Sequence, residues 1–199
     1  MLIRNSKTKI SIAPGFLLLI AMLFYLDEGI GILPWGILAA SLHELGHILA
    51  ARIFGSRVDT ITFNITGAEL RFSYTGVLSY GMENMIALAG PAVNLLVGVS
   101  ALCLGGHLFA AVSFGLGLFN LVPILPLDGG RLLSNLIVEH FGILAAEKVL
   151  SVSAGISIGI LVGFGVIAAI HYANIMLLIL AVWLLIGSVR KKSNFSPNK

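Results

Sequence analysis

Residues 84–127 read NMIALAGPAVNLLVGVSALCLGGHLFAAVSFGLGLFNLVPILPL, 44 consecutive positions without an Asp, Glu, Lys or Arg. A helical crossing of a bilayer takes about 20 apolar residues. The stretch therefore holds two crossings, divided near its middle by the short polar turn Gly105-Gly106-His107. Working outward, Gly29–Ala51 is 23 residues broken only by Glu44, Ile10–Leu26 is 17 charge-free residues, and Val149–Val189 is 41, divided at His171-Tyr172-Ala173-Asn174. Six crossings are expected, over about 10–27, 31–53, 82–104, 107–124, 150–170 and 174–189, in a single membrane-embedded domain covering 1–199.

The composition agrees. Hydrophobic residues make up 58% of the 199 and charged residues 11%, against about 45–50% and ~25% in soluble domains. The mean hydropathy is +1.02. So few charges cannot supply the shell of a soluble globule, which excludes a cytosolic enzyme, a disordered tail and a disulfide scaffold. The single cysteine, Cys103, forms no internal pair and reads as a packed thiol. The net charge of +3 does not indicate nucleic acid, because the basic residues stand at the ends of apolar segments.

Those basic residues report orientation instead. Arg4, Lys7 and Lys9 precede the first crossing, and Arg190, Lys191, Lys192 and Lys199 follow the last, while Asp27-Glu28 lies between the first two without a base. The positive-inside rule puts both termini in the cytoplasm of a multi-pass cell-membrane protein. Arg52, Arg57, Arg71, Arg131 and Lys148 then fall in cytoplasmic segments. The first run has no small-residue cleavage site before Asp27, so a retained helix is expected rather than a signal peptide.

One segment has a different period. Ile61, Phe63 and Ile65 alternate with Thr60, Thr62, Asn64 and Thr66; after Gly67, Ala68, Leu70, Phe72 and Tyr74 alternate with Glu69, Arg71 and Ser73. Period two on both sides of a glycine predicts a β-hairpin over about 58–76. The fold class expected is thus an all-α integral membrane protein of six helices, with a short hairpin between helices two and three at the cytoplasmic interface.

The second crossing contains His43-Glu44-Leu45-Gly46-His47. Residues i and i+4 of a helix share a face, so both imidazoles point the same way. This pattern lets two histidines hold Zn²⁺ while the glutamate activates water as general base. A pair of packed core histidines is the competing role, but an ionised Glu44 in lipid costs roughly 2.5–3.5 kcal/mol and so marks function. The metzincin continuation fails at Ala50 and Ile53, so a third ligand comes from elsewhere.

Asp128 is the foremost candidate, ending the 44-residue run in a segment with Pro123, Pro126, Gly129 and Gly130 that can aim a carboxylate back into the bundle. A helix cap is its competing role; Glu69 and Glu83 read as solvated interfacial charges. Asn94 and Asn120 are two amides in apolar surroundings, suited either to a peptide carbonyl or oxyanion or to bonds between helices. Gly155, Gly159 and Gly163 give a small face suited to close packing or to a homo-oligomer.

HELGH, then AGPAVN, then NLVPILPLDGG, in this order over roughly 29–131, resemble the site-2 protease family of intramembrane metalloproteases. The resemblance implies a zinc held by His43, His47 and Asp128 with Glu44 as base, cleaving a transmembrane or membrane-associated protein near the cytoplasmic face. The wording is most similar to the bacterial branch that processes pro-sigma factors in sporulation, here expected without that branch's C-terminal CBS domain and without a PDZ insertion. The hairpin Thr60–Tyr74 is expected to offer a strand edge to an unwound substrate. A metal-ion transporter and a non-catalytic membrane scaffold are the alternatives, the first disfavoured by the lack of inverted repeats.

Overall fold

The computed structural model describes residues 8–27, 31–64, 67–74 and 78–195. Arg4, Lys7, Glu28, Ile65, Thr66 and Lys199 lie outside the described residues. The element order is β1 (Lys9–Ile12), α1 (Pro14–Leu26), α2 (Ile32–Ile53), β2 (Ser56–Asn64), β3 (Gly67–Tyr74), α3 (Tyr80–Cys103), α4 (His107–Asn120), α5 (Asp128–Phe141), α6 (Ile143–Tyr172) and α7 (Met176–Phe195). Three of these helices, α2, α3 and α6, are long and apolar enough to cross a bilayer; α4 and the apolar part of α7 are shorter. Leu49, Leu96, Phe164 and Ile170 all present more than half of their surface outward. So much outward-facing apolar surface marks a membrane protein.

The helix boundaries have local causes. The Asp27 carboxylate accepts hydrogen bonds from the backbone N–H of Gly31, Ile32 and Leu33, at 3.0, 3.0 and 3.3 Å, and so closes the open N-terminus of α2. Ser79 caps α3 by accepting from Met82 N–H. The turn into α4 uses Gly105 at φ 81°, in the left-handed region where glycine is unstrained. Ala173, at φ 50°, ends α6, and the Asn174 carboxamide oxygen accepts from Met176 N–H to start α7.

The chain divides into two compact units, 1–117 and 118–199. In the first, the hairpin forms where the alternation predicts it: β2 and β3 pair antiparallel, from Ser56↔Tyr74 to Asn64↔Gly67, with a bulge between Val58 and Thr60. The sheet also gains a strand that alternation did not reveal. β1 pairs in parallel with β2, Lys9↔Thr60 through Ile12↔Phe63, giving the order β1-β2-β3. The charge-free run from Ile10 is therefore strand before it is helix. Phe16 of α1 packs on Phe63 of β2, ring centroids 5.2 Å apart. Helices α2 and α3 approach closely because Gly46 meets α3 without a side chain: a Cβ there would sit 2.7 Å from Ala89 O.

The second unit has an apolar core of Ile124, Leu127, Ala154 and Leu184, with Phe119, Leu161 and Trp183 around it. Its segment 121–127, between α4 and α5, is not helical. Irregular backbone survives at membrane depth only when protein or water covers it. Here Ile124 is fully buried, Val122 O accepts from Ile124 N–H and Ile124 O accepts from Leu127 N–H. Ser153 of α6 donates to Pro123 O. α5 is a second element that the charge-free runs did not reveal. It is amphipathic, with Leu132, Leu133 and Ile137 partly buried and Arg131, Glu139 and His140 exposed. A Cβ at Gly155, Gly159 or Gly163 would meet nothing within 4 Å, so that small face is not used for packing within the described chain.

Candidate metal centre

His43 and His47 stand one turn apart on α2, 5% and 7% exposed. Their rings meet nearly edge to face, with centroids 4.7 Å apart, and the two Nε2 atoms are separated by 3.1 Å. Nδ1 of His47 lies 2.7 Å from Ile86 O. A carbonyl oxygen only accepts, so that Nδ1 carries the proton and His47 Nε2 is left with a lone pair. A backbone carbonyl behind the far ring nitrogen is the usual way a metal-binding histidine is held in its tautomer.

The floor of the site is α3. Ile86, Gly90 and Asn94 are four residues apart and share a face. Gly90 lies directly under the imidazoles: a Cβ there would be 2.8 Å from His43 Nε2 and would collide with His47. Asn94 is fully buried, with Nδ2 3.4 Å from His43 Nδ1. On its other side Gly117 of α4 would bring a Cβ within 3.2 Å of Asn94 Cβ. Pro91 lacks an N–H and leaves Ala87 O without its normal helical donor, loosening α3 opposite the histidines.

Glu44 follows His43 and is partly buried, about 100° round the helix from it. Asp128 belongs to the second unit. It is 6% exposed and opens α5, where a carboxylate is favoured by the helix dipole. The capping position itself is Leu127, so the carboxylate is not an N-cap side chain. Arg131 Nη1 is 3.9 Å from Asp128 Oδ1. Gly129 and Gly130 allow this first turn to press on the 121–127 backbone, since a Cβ at Gly129 would collide with Leu121 O and one at Gly130 with Ile124. Asn120, the last residue of α4, is partly buried at the start of that segment.

His43, His47 and Asn94 are thus brought together within the first unit, while Asp128 and Asn120 flank the irregular segment of the second. Ile86 and Gly90 were not singled out as contacts of the histidines from sequence; the signal was their spacing of four from Asn94. The residues fit a tetrahedral metal. With Zn–N bonds of about 2.0–2.1 Å, two nitrogens of one tetrahedron lie roughly 3.3 Å apart, close to the 3.1 Å observed. Nitrogen lone pairs at this distance repel unless a proton or a cation stands between them.

Residues 106–164 match the family model described as peptidase family M50. The chain is 26% identical over 160 residues to a zinc metalloprotease of Methanocaldococcus jannaschii, covering 74% of this chain and 45% of that protein. It is 30% identical over 134 residues to stage IV sporulation protein FB of Bacillus subtilis, covering 63% of this chain and 46% of that one. The chain thus spans less than half the length of these curated relatives. Its fold matches the site-2 protease of M. jannaschii with a TM-score of 0.68, at 22% identity, over 96% of this chain and 94% of that one. The HELGH pair is thus seated on the AGPAVN face in a chain that has the fold of that site-2 protease and carries, over residues 106–164, the match to peptidase family M50.

Proposed function

We propose that this chain is an intramembrane zinc metalloprotease that hydrolyses a peptide bond of a membrane-tethered protein near the cytoplasmic face. The observation that carries the reading is the convergence of two Nε2 atoms at 3.1 Å over Gly90, one of them held in its metal-binding tautomer by Ile86 O. His43, His47 and Asp128 are the ligand set, one carboxylate and two neutral imidazoles. The burial of an aspartate at the head of α5 supports this assignment.

Bound zinc supplies Lewis acidity, polarising a carbonyl oxygen and making a water molecule easier to deprotonate. Glu44 is the general base: a carboxylate oxygen takes the proton of the attacking water and returns it to the leaving nitrogen. Asn120 offers an amide to the substrate backbone or to the oxyanion. A helical substrate has its carbonyls engaged in its own hydrogen bonds and must unwind before attack. β2 is flanked by β1 and β3, so within the hairpin the outer edge of β3 is the strand edge offered to an unwound segment. In this reading α1, α2, α3, α4, α6 and α7 are the six crossings, α5 lies in the cytoplasmic interface, and both termini are cytoplasmic.

The test pairs metal content with cleavage, on wild type and Glu44→Gln, in liposomes with a membrane-tethered substrate. One zinc per chain in both proteins, with cleavage about 10²–10⁴-fold slower in the variant, is expected for loss of a general base. Equal cleavage by both would remove Glu44 from the chemistry, and a wild type without zinc would remove the site.

A further inference from the structure

Asn94 is the one wholly buried amide beside the histidine pair, closed in by His43 on one side and Gly117 on the other. Its Oδ1 has no hydrogen-bond partner among the described residues. Leaving a buried acceptor unpaired costs about 1–3 kcal/mol, so a native side chain in this position has a second use for that oxygen. The oxygen and nitrogen of a carboxamide exchange places by a half-turn of the side chain, and the surrounding donors decide between the two orientations.

The two orientations differ in what they do to His43. With Nδ2 toward His43, the amide donates to Nδ1, which must then be the unprotonated nitrogen. The imidazole proton moves to Nε2, where it points at His47 Nε2, 3.1 Å away. The histidines are then tied to each other, and His43 has no lone pair for a metal. With Oδ1 toward His43, Nδ1 carries the proton and donates it to the amide oxygen. That orientation satisfies the orphaned acceptor, frees His43 Nε2 as a ligand, and gives both histidines an oxygen behind the ring: Ile86 O for His47 and Asn94 Oδ1 for His43.

We infer that Asn94 is a positioning residue for zinc, its Oδ1 accepting the Nδ1–H of His43 and so selecting the tautomer that binds metal. The inference rests on the zinc reading above and gives Asn94 a task inside the protein rather than at the scissile bond. It also explains the spacing of AGPAVN against HELGH. Ile86, Gly90 and Asn94 form one stripe, and its members in turn orient one histidine, make room for both, and orient the other.

The test is zinc affinity, read by competition with a chelating dye on the full chain in detergent, for wild type, His43→Ala, Asn94→Leu and Asn94→Asp. Leucine fills the volume without an acceptor; an ionised aspartate accepts but cannot donate. Asn94→Leu is expected to bind zinc about 10–100-fold more weakly, and Asn94→Asp to equal or exceed wild type. Wild-type affinity in Asn94→Leu overturns the inference, as does a loss in Asn94→Asp as large as that in Asn94→Leu. If Asn94→Leu fails to fold, Asn94→Asp decides: wild-type affinity supports an acceptor, and a loss of about tenfold or more overturns it. A wild type that binds no zinc, or binds it unchanged after His43→Ala, overturns the zinc reading itself. Unresponsive Asn94 variants beside a responsive His43→Ala overturn the Asn94 role alone.

Discussion

Gly90 shows how little space the metal centre leaves. Both imidazoles occupy the place where its side chain would begin. Adding one carbon to a filled site costs about 1–3 kcal/mol, so Gly90→Ala is expected to weaken zinc binding roughly 10–100-fold and Gly90→Val to abolish it, both measurable by chelator competition. The histidines themselves were legible in the sequence, because spacing i, i+4 fixes a shared face whatever the rest of the fold does. Their partners were not. Asn94 stands 51 residues from His43, and only the approach of α3 to α2 at Gly46 and Ala89 makes them neighbours. Gly46 and Gly90, having no side chains, carry no period of their own, so this contact left no trace in the hydrophobic pattern.

At the scale of elements, the segment between α4 and α5 positions Asp128 and depends on two glycines. A methyl group at Gly130 would collide with the Ile124 backbone, which is itself hydrogen-bonded to Val122 and Leu127. Backbone cannot move aside as a side chain can. Gly130→Ala is therefore expected to lower thermal stability by more than the ~1–3 kcal/mol of ordinary overpacking, and to lose zinc with it; a denaturation curve in detergent with and without metal checks both. Ser153→Ala removes the donor to Pro123 O and should cost about 1 kcal/mol. The hairpin was readable because its alternation is local. β1 was not, since a four-residue strand at the head of an apolar run looks like the helix that follows it, and its partner is some 50 residues away. α5 hid for a different reason: it carries charges, and a search for charge-free runs passes over an amphipathic helix.

For the molecule as a whole, metal and fold are linked. A ligand that binds only the folded chain stabilises it by RT ln(1 + [L]/Kd). Stripping the zinc should stop cleavage and lower the melting temperature, and returning one equivalent should restore both. Orientation is testable with the chain's own single thiol. Cys103, expected from the sequence to be packed, is instead exposed at the end of α3, where the helix gives way to the turn at Gly105, the outer end in the proposed arrangement. A membrane-impermeant maleimide added to intact cells should label it, and labelling only after the cells are opened would invert the orientation.

The parallel pairing of β1 with β2 has a topological consequence independent of any count of charges. Residues 9–12 and 56–63 share one ladder of hydrogen bonds, and such a ladder cannot straddle a bilayer. The chain between them starts and ends on that side, so the number of times it traverses the lipid there has even parity. In the arrangement proposed above, where α2 with its 22 residues traverses it, the return path falls to α1, a helix of only 13 residues.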